Sequence, residues 1–279
     1  MLGRVTSLKD HGRNRPRLGR WLIAVLIAAL LAGLFWPPVT NGIKATRVLM
    51  SQWFDLARMQ PQMRSQVCAH RANTVARFRL AGWLFDCVEI DVVVTPAVAN
   101  VPSVYHPPDS NYLGLSLEQL LHDASLPKGA LWLDVKDLGE DNWRTLLALL
   151  HELVPVERRP SVVVETGWAD EAVAVPIDAF RRSGFQVSYY LPTERAFDCA
   201  ALASMECQQF RAEVLRTVSF GFSHLSFDAR GYEFVRTIRN QLPGHVRLLT
   251  WHTARMLPQE EMLGDVDLYI VKFRTPLDP

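Results

Sequence analysis

The sequence predicts an α/β fold, a (β/α)8 barrel of the TIM type with a β-hairpin extension after strand 2 and an N-terminal transmembrane helix before it. Short β-rich runs alternate with helical stretches after residue 65, which is typical of a parallel sheet with helices outside it. One connection, Thr95 to Pro102, is too short for a helical crossover. An uncharged apolar stretch of sixteen residues, Trp21 to Trp36, precedes the barrel region.

The composition indicates one globular domain with a basic appendage. The chain has 279 residues, of which 49% are hydrophobic and 21% charged. Its first 20 residues contain six lysines and arginines against one acid, Asp10, although the formal charge of the whole chain is only +1. The basic character is therefore confined to the tail, and the barrel region shows no charge pattern for binding nucleic acid.

The N-terminal segments predict a membrane protein with an exported barrel. We assign residues 1–20 to a basic cytoplasmic tail, 21–40 to a transmembrane signal anchor, 41–64 to a linker with a short helix, and 65–279 to the barrel domain. Tryptophans at both ends of the apolar stretch and arginines before it favour a single span with a cytoplasmic N-terminus and a periplasmic or extracytoplasmic barrel. A cleaved signal peptide, with a small-residue site at Ala32-Gly33, and a buried helix are the alternatives.

The predicted elements follow one another in the order that a parallel barrel needs. The strands are Val67 to His70, Cys87 to Val94, Ser103 to His106, Leu131 to Lys136, Ser161 to Thr166, Gln186 to Leu191, His224 to Asp228, Val246 to His252 and Asp267 to Lys272. The helical stretches include Leu115 to Ala124, Asp141 to Val154, Glu171 to Ser183, Glu194 to Leu215 and Tyr232 to Gln241.

Nine strands exceed the eight of the barrel, and the hairpin accounts for the difference. A parallel crossover needs a dozen or more residues, so the strand Ser103 to His106 is expected to return antiparallel to the second strand. This arm would carry His106 back to the site, and eight barrel strands remain. A doubly wound open sheet is the alternative, but its glycine fingerprint is missing.

The state of the four cysteines depends on whether the barrel lies inside or outside the cytoplasm. Outside the cytoplasm disulfides can form, and Cys199 and Cys207 lie close enough in the chain to form one. Cys68 and Cys87 each precede a candidate site residue by two positions, so they should face the barrel interior. We expect these two to be small buried hydrophobic residues rather than a disulfide or metal ligands.

Three carboxylates at strand ends predict a metal site. Side chains alternate along a strand, so Glu89 and Asp91 point to one side, as do Asp134 and Lys136. Oxygen ligands without a cysteine or histidine cluster favour Mg²⁺ or Ca²⁺ as the cofactor. The alternative is that the carboxylates form ordinary ion pairs with Arg71 or Lys136.

Two histidines at strand ends, His70 and His106, are candidates for general acid and base catalysis because imidazole titrates near neutral pH. One ring would accept the proton of an attacking hydroxyl while the other protonates the leaving oxygen. Attack by water gives hydrolysis, whereas attack by a neighbouring hydroxyl of the substrate gives a cyclic product. Arg71 and Lys136 would flank a phosphate or hold the ligand carboxylates.

Five further residues are candidates for binding substrate. Asn73 would cap the following helix or contact the substrate. Trp251 would form an apolar wall or pack in the core. Near the carboxyl ends of strands, where barrel enzymes keep their sites, lie Tyr189, Glu165 and Lys272.

These residues resemble the pattern of the glycerophosphodiester phosphodiesterases, within the superfamily of phospholipase C-like phosphodiesterases. The resemblance is carried by His70-Arg71, Asn73-Thr74, Phe78 and Glu89-Ile90-Asp91-Val92, and it spans roughly residues 65 to 276. The glycine of the family's His-Arg-Gly is absent, the loop before Asn73 is reduced to Ala72, and Lys272 replaces a late Thr-Asp. A menorin-like branch is the closer match, through His70-x-x-Asn73, His106-Pro-Pro and Asp134-x-Lys136.

The resemblance implies a metal-dependent phosphodiesterase acting on a phosphodiester or phospholipid substrate, specifically a glycerophosphodiester or phospholipid headgroup, and the predicted anchor would hold it at a membrane. The alternative is a non-catalytic barrel of the same kind that binds a phosphorylated lipid or glycan in the cell envelope. A glycoside hydrolase with paired carboxylates is a third hypothesis, which two histidines beside Asp-x-Lys fit poorly. The sequence does not define an oligomeric state.

Overall fold

The structure is a computed structural model, which describes residues 37–59, 61–95, 101–107, 114–124, 126–200, 204–252, 262 and 264–273. The predicted cytoplasmic tail and most of the predicted anchor, residues 1–36, lie outside the described residues. Within the ranges just given, no helix combines the length and the apolar character that spanning a membrane would need.

Eight parallel strands close into a barrel, as the sequence predicts. With the antiparallel β3, which lies outside the ring, the described residues form nine strands: β1 (Val67–Ala69), β2 (Cys87–Val93), β3 (Ser103–Val104), β4 (Leu131–Val135), β5 (Val162–Thr166), β6 (Gln186–Tyr190), β7 (His224–Asp228), β8 (Arg247–His252) and β9 (Leu268–Val271). The pairing order runs β1-β9-β8-β7-β6-β5-β4-β2, and a parallel pairing of β1 with β2 closes the ring.

Helices surround the barrel. They are α1 (Pro37–Arg58), α2 (Pro61–Arg64), α3 (Val75–Leu84), α4 (Leu117–Asp123), α5 (Trp143–Leu153), α6 (Ala174–Arg182), α7 (Thr193–Asp198), α8 (Met205–Ser219) and α9 (Tyr232–Ile238). Short 3-10 helices span Val156–Ser161, Glu171–Val173, Ala229–Gly231 and Arg239–Gln241. Leucine, valine and phenylalanine side chains between these helices and the outer face of the sheet form the larger part of the hydrophobic core.

Strand β3 is the predicted hairpin arm. It pairs antiparallel with the upper end of β2, Val92 with Val104 and Val93 with Ser103, on the edge that the shorter β1 leaves free. Asp137, just after β4, fixes the start of the hairpin by accepting hydrogen bonds from the backbone amides of Val94 and Thr95. The arm then delivers His106 to the carboxyl ends of the barrel strands.

Two of the helical predictions differ from the structure. The single helix expected over Glu194 to Leu215 is divided into α7 and α8, and a disulfide between Cys199 and Cys207 joins the two. Upstream, the short helix expected within residues 41–64 is the 22-residue α1, followed by the one-turn α2.

The cysteines of β1 and β2 do face the barrel interior, but the prediction that they are not bridged is wrong. Cys68 and Cys87 form a disulfide. They are neighbours in the β1–β2 register, so both side chains point inward from adjacent positions. There they pack with Trp132, Val163 and Leu249 in a small apolar layer that lies beneath the candidate site. The disulfide therefore ties together the two strands that carry His70 and Glu89.

Candidate active site

A cavity of 580 Å³ opens at the carboxyl ends of the barrel strands. Its lining combines acids, bases and two aromatic rings: His70, Arg71, Glu89, His106, Asp134, Lys136, Glu165, Tyr190, Pro192, Thr193, Glu194, Arg195, Asp228, Arg230, Trp251 and Ile270. Eight of the twelve residues singled out from the sequence as site candidates line this cavity. Seven of them form its floor and one wall, and Trp251 lies on another wall.

Three carboxylates converge at the floor of this cavity, where Glu89 and Asp134 line it and Asp91 lies buried beside them. Glu89 and Asp91 project inward from β2, and Asp134 projects from β4, where it is the register partner of Asp91. One oxygen from each carboxylate lies within 4.8 Å of the other two. Oε1 of Glu89 is buried without a hydrogen-bond partner. An unpartnered buried oxygen beside two more carboxylates fits a hard divalent cation, which prefers oxygen ligands.

Asp91 is held in its ionised form. Burial alone would raise its pKa, but its polar partners together lower it, and the largest of their effects comes from the ammonium of Lys136, 2.8 Å from Oδ1. Asn73 adds to this effect by donating its amide to Oδ2 at 2.6 Å, while its own carbonyl oxygen accepts from the Asp91 amide. The guanidinium of Arg71 lies 3.6 Å from the same carboxylate. Asp91 is therefore a fixed anion at neutral pH.

Glu89 has the opposite environment. Burial, followed by the negative charges of Asp91 and Asp134, raises its pKa well above the ordinary value. Its Oε2 accepts a hydrogen bond of 2.5 Å from the backbone amide of Arg71. That amide reaches it because Arg71 has a φ of 54°, a left-handed conformation uncommon for a residue with a side chain.

Asp134 and Glu165 continue the acidic floor toward β5. Burial raises the pKa of Asp134, although its contact with the Lys136 ammonium opposes the shift. Glu165, the register partner of Asp134 on β5, is completely buried, and burial together with the charge of Asp134 raises its pKa well above the ordinary value. Burial alone would lower the pKa of Lys136, but the carboxylates of Asp134 and Asp91 together raise it, so this ammonium is a permanent cation.

Both histidines line the cavity. His70 follows β1, and its Nε2 lies 4.0 Å from Oε2 of Glu89. Burial, then the nearby positive charge of Arg71, lowers the pKa of His70 to about 3, so the ring is neutral at physiological pH. His106 reaches the same cavity from the hairpin arm, close enough to contribute to the lowered pKa of His70. A neutral imidazole can accept a proton, and a protonated imidazole can donate one to a leaving oxygen.

Three predicted substrate-binding residues are placed differently. Tyr189 is buried on the outer face of the sheet against Phe222, because it shares a face with its register partners Thr166 and Leu225. Asn73 binds Asp91, and Thr74 caps α3, so the capping role given to Asn73 is wrong. Lys272 does not belong to the cavity lining, and its carbonyl oxygen accepts a hydrogen bond from Gln52.

The far wall contains residues that the sequence argument missed. Tyr190 stacks on Trp251, with ring centroids 5.0 Å apart, and this pair forms the apolar wall that was assigned to Trp251 alone. Arg230 links Asp228 and Glu194 at the rim. The alternation along β6 and β7 could have identified Tyr190 and Asp228, since Ser188 and Ser226 share their inward face. The loop residues at the rim carry no such signal.

Fold and site together define a parallel barrel with a carboxylate cluster, two permanent cations and two imidazoles around one cavity. No family model matches the sequence, and no curated protein matches it. Among solved structures, a glycerophosphodiester phosphodiesterase from Agrobacterium tumefaciens strain C58 aligns with a TM-score of 0.39 and 12% identity, covering 76% of this chain and 97% of that chain. A similarity this low determines neither the family nor the activity of the chain.

Proposed function

We propose that this protein is a membrane-anchored, divalent-cation-dependent phosphodiesterase that cleaves a glycerophosphodiester or a phospholipid headgroup. The observation that carries the proposal is the convergence of Glu89, Asp91 and Asp134 within 4.8 Å, in a cavity that two histidines also line. A glycosidase would need only the carboxylates. A pair of imidazoles beside permanent cations suits an anionic diester, whose cleavage moves a proton onto and off oxygen.

Each residue has a task in the proposed reaction. Mg²⁺ or Ca²⁺ held by Glu89, Asp91 and Asp134 would supply charge for the non-bridging phosphate oxygens. His70, neutral at physiological pH, accepts the proton of the attacking hydroxyl, and His106 delivers one to the leaving oxygen. Water as the attacking group gives hydrolysis, whereas a hydroxyl of the substrate gives a cyclic diester.

The charge of the site supports this assignment. The three ligand carboxylates are contacted by two cations, Arg71 and Lys136, with Asn73 as a neutral partner. A divalent cation held by these carboxylates would offset their remaining negative charge and attract the anionic oxygens of a phosphodiester. The stacked Tyr190 and Trp251 then offer an apolar wall for the alcohol on either side of the phosphate.

The compartment is proposed from the cysteines and the N-terminal sequence. Disulfides persist in oxidising compartments, and the barrel contains Cys68–Cys87 and Cys199–Cys207. An exported barrel behind a signal anchor at residues 21–40 fits both disulfides and the basic tail.

A non-catalytic binding barrel is the second candidate, and one contact favours it. The Lys136 ammonium contacts both Asp91 and Asp134, so these two carboxylates are partly neutralised even without a metal ion. A barrel of that kind would bind a phosphorylated lipid or glycan in the cell envelope through Arg71 and Lys136 without cleaving it.

Phosphorus NMR of diesters incubated with the full chain in detergent separates the two candidates. We expect cleavage of at least one glycerophosphodiester or phospholipid, lost on addition of EDTA and reduced about 100-fold or more in His70→Ala and Glu89→Gln. His245→Ala, an exposed histidine at the opposite end of the barrel, is the matched control. Binding of a diester without cleavage across the panel would favour the second candidate.

A further inference from the structure

The contacts of α1 show which end of the barrel the N-terminal segment joins. The side-chain amide of Gln52 donates a hydrogen bond of 2.9 Å to the carbonyl of Lys272, the residue after the carboxyl end of β9. Fourteen residues later, Gln66 donates to the carbonyl of Val266, before the amino end of β9. The chain therefore reaches the barrel at the end where the active-site cavity opens and then runs toward the opposite end.

Helix α1 has two different faces at this point. Gln52 and Leu56, one turn apart, are only 2% and 3% exposed because they pack against the barrel. Met50, Trp53 and Phe54 lie on the other side and are 46%, 39% and 47% exposed. The rings of Trp53 and Phe54 meet edge to face, with centroids 5.0 Å apart. Large apolar side chains clustered in one turn of a surface helix indicate a surface that binds something apolar.

The neighbouring sequence indicates what that surface binds. The uncharged stretch Trp21 to Trp36 ends where α1 begins, and α1 itself is too polar to cross a bilayer. From Pro37 to Gln52 a helix advances about 22 Å, so the contact between Gln52 and Lys272 lies about that far along the helix from the end of the apolar stretch. Tryptophan and phenylalanine with nearby basic residues, here Arg47 and Arg58, are typical of a helix at the membrane interface.

We propose that Met50, Trp53 and Phe54 insert into the interfacial region of a lipid bilayer, so that the cavity end of the barrel lies against the membrane and the opposite end points away. This orientation extends the proposed function by making the substrate a lipid or lipid-linked diester reached at the membrane surface. A diester free in solution would gain nothing from it.

The proposal is tested by nitroxide spin labels in the full chain, reconstituted at one copy per lipid nanodisc. One label is attached in Phe54→Cys and the other in Trp83→Cys. Trp83 is a matched control because it is also exposed, at 73%, but lies at the other end of the barrel. It precedes the turn at the amino ends of β2 and β4, where the Asp86 carbonyl accepts a hydrogen bond from the Gly129 amide. Relaxation by oxygen, which partitions into lipid, is compared with relaxation by a water-soluble nickel chelate.

We expect a higher ratio of oxygen to chelate relaxation at position 54 than at position 83. Equal, chelate-dominated relaxation at both positions would overturn the proposal, as would the reverse order. The label at position 54 could instead be shielded from the chelate only in nanodiscs with two copies, with dipolar broadening between the spins. That result would overturn the proposal and assign the surface to a second copy of the chain. If Phe54→Cys does not fold, as judged by circular dichroism, Met50→Cys replaces it. Because no arm measures turnover, the outcome is independent of whether the barrel cleaves a diester.

Discussion

The ammonium nitrogen of Lys136 lies 2.8 Å from Oδ1 of Asp91, a carboxylate that is almost completely buried, and it also contacts Asp134. Asp91 and Asp134 are register partners on β2 and β4, and Lys136 follows Asp134 by two residues, so all three point to the same side. One cation thus offsets the repulsion between two ligand carboxylates.

Replacing Lys136 by methionine is expected to destabilise the protein by about 3 kcal/mol in EDTA, because a buried carboxylate loses its partner. Mg²⁺ or Ca²⁺ should restore part of the loss, since a divalent cation can take over the same neutralisation. Urea denaturation with and without the cation measures both effects. Lys128→Met, at an exposed lysine, is the control. Equal stability of Lys136→Met and the parent chain in EDTA would contradict the role given to this ion pair.

Glu89→Gln is expected to abolish stabilisation by divalent cations. The parent chain should melt at a higher temperature in millimolar Mg²⁺ or Ca²⁺ than in EDTA, since binding to the folded state alone stabilises it. The glutamine variant keeps the shape of the side chain but removes one anionic ligand. Differential scanning calorimetry measures the shift, with Glu157→Gln as an exposed control. An unchanged cation-induced shift in Glu89→Gln would remove Glu89 from the metal site.

The Cys68–Cys87 disulfide is expected to stabilise the barrel by about 3 kcal/mol, because it closes a loop of 19 residues in the unfolded chain. Replacing both cysteines by alanine removes this constraint and frees β1 from β2, so cation affinity should fall as well. Chemical denaturation and calorimetric titration measure the two losses. Alkylation of Cys68 or Cys87 in the denatured, unreduced parent protein, identified by peptide mass spectrometry, would contradict the bonded state.

Acid should destabilise the protein in part through His224. Burial, then the charge of Arg247, lowers its pKa in the folded protein from 6.5 to about 4. The unfolded chain therefore binds the proton more tightly, and stability is full above pH 6.5 and falls as the pH drops from 6.5 toward 4. The loss is on the order of 3 kcal/mol. His224→Gln, which cannot titrate, should show a shallower decline in melting temperature over this range. A parallel decline in both proteins would assign the acid sensitivity to other groups.

The barrel and its ligand carboxylates could be predicted because each depends on a local pattern. The brevity of Thr95 to Pro102 identifies the hairpin, and alternation along β2 places Glu89 and Asp91 on one face. The missed features depend on packing between distant elements. Cys68 meets Cys87 only because β1 and β2 are neighbours in register. Tyr189 and Tyr190 are adjacent in β6, so their side chains point to opposite faces of the sheet. The sequence argument chose Tyr189, whereas Tyr190 is the residue that faces the cavity.

A similar argument applies to Asn73. From sequence it is a cap, because asparagine often precedes a helix. In the structure Thr74 has this position, which frees the Asn73 amide to bind both the backbone and the carboxylate of Asp91. This contact joins the loop between β1 and α3 to β2, and Arg71 in the same loop has a left-handed backbone conformation. That conformation could not be predicted from a residue type that rarely adopts it.

The most direct test of the proposed cation site is anomalous diffraction from crystals of the protein soaked in Mn²⁺, which substitutes for Mg²⁺ among oxygen ligands. We expect one strong anomalous peak bounded by the carboxylates of Glu89, Asp91 and Asp134, and its loss in Glu89→Gln crystals soaked in the same way. A fully soaked crystal without a peak between these three residues, or with the strongest peak elsewhere, would contradict a metal-dependent site at this end of the barrel.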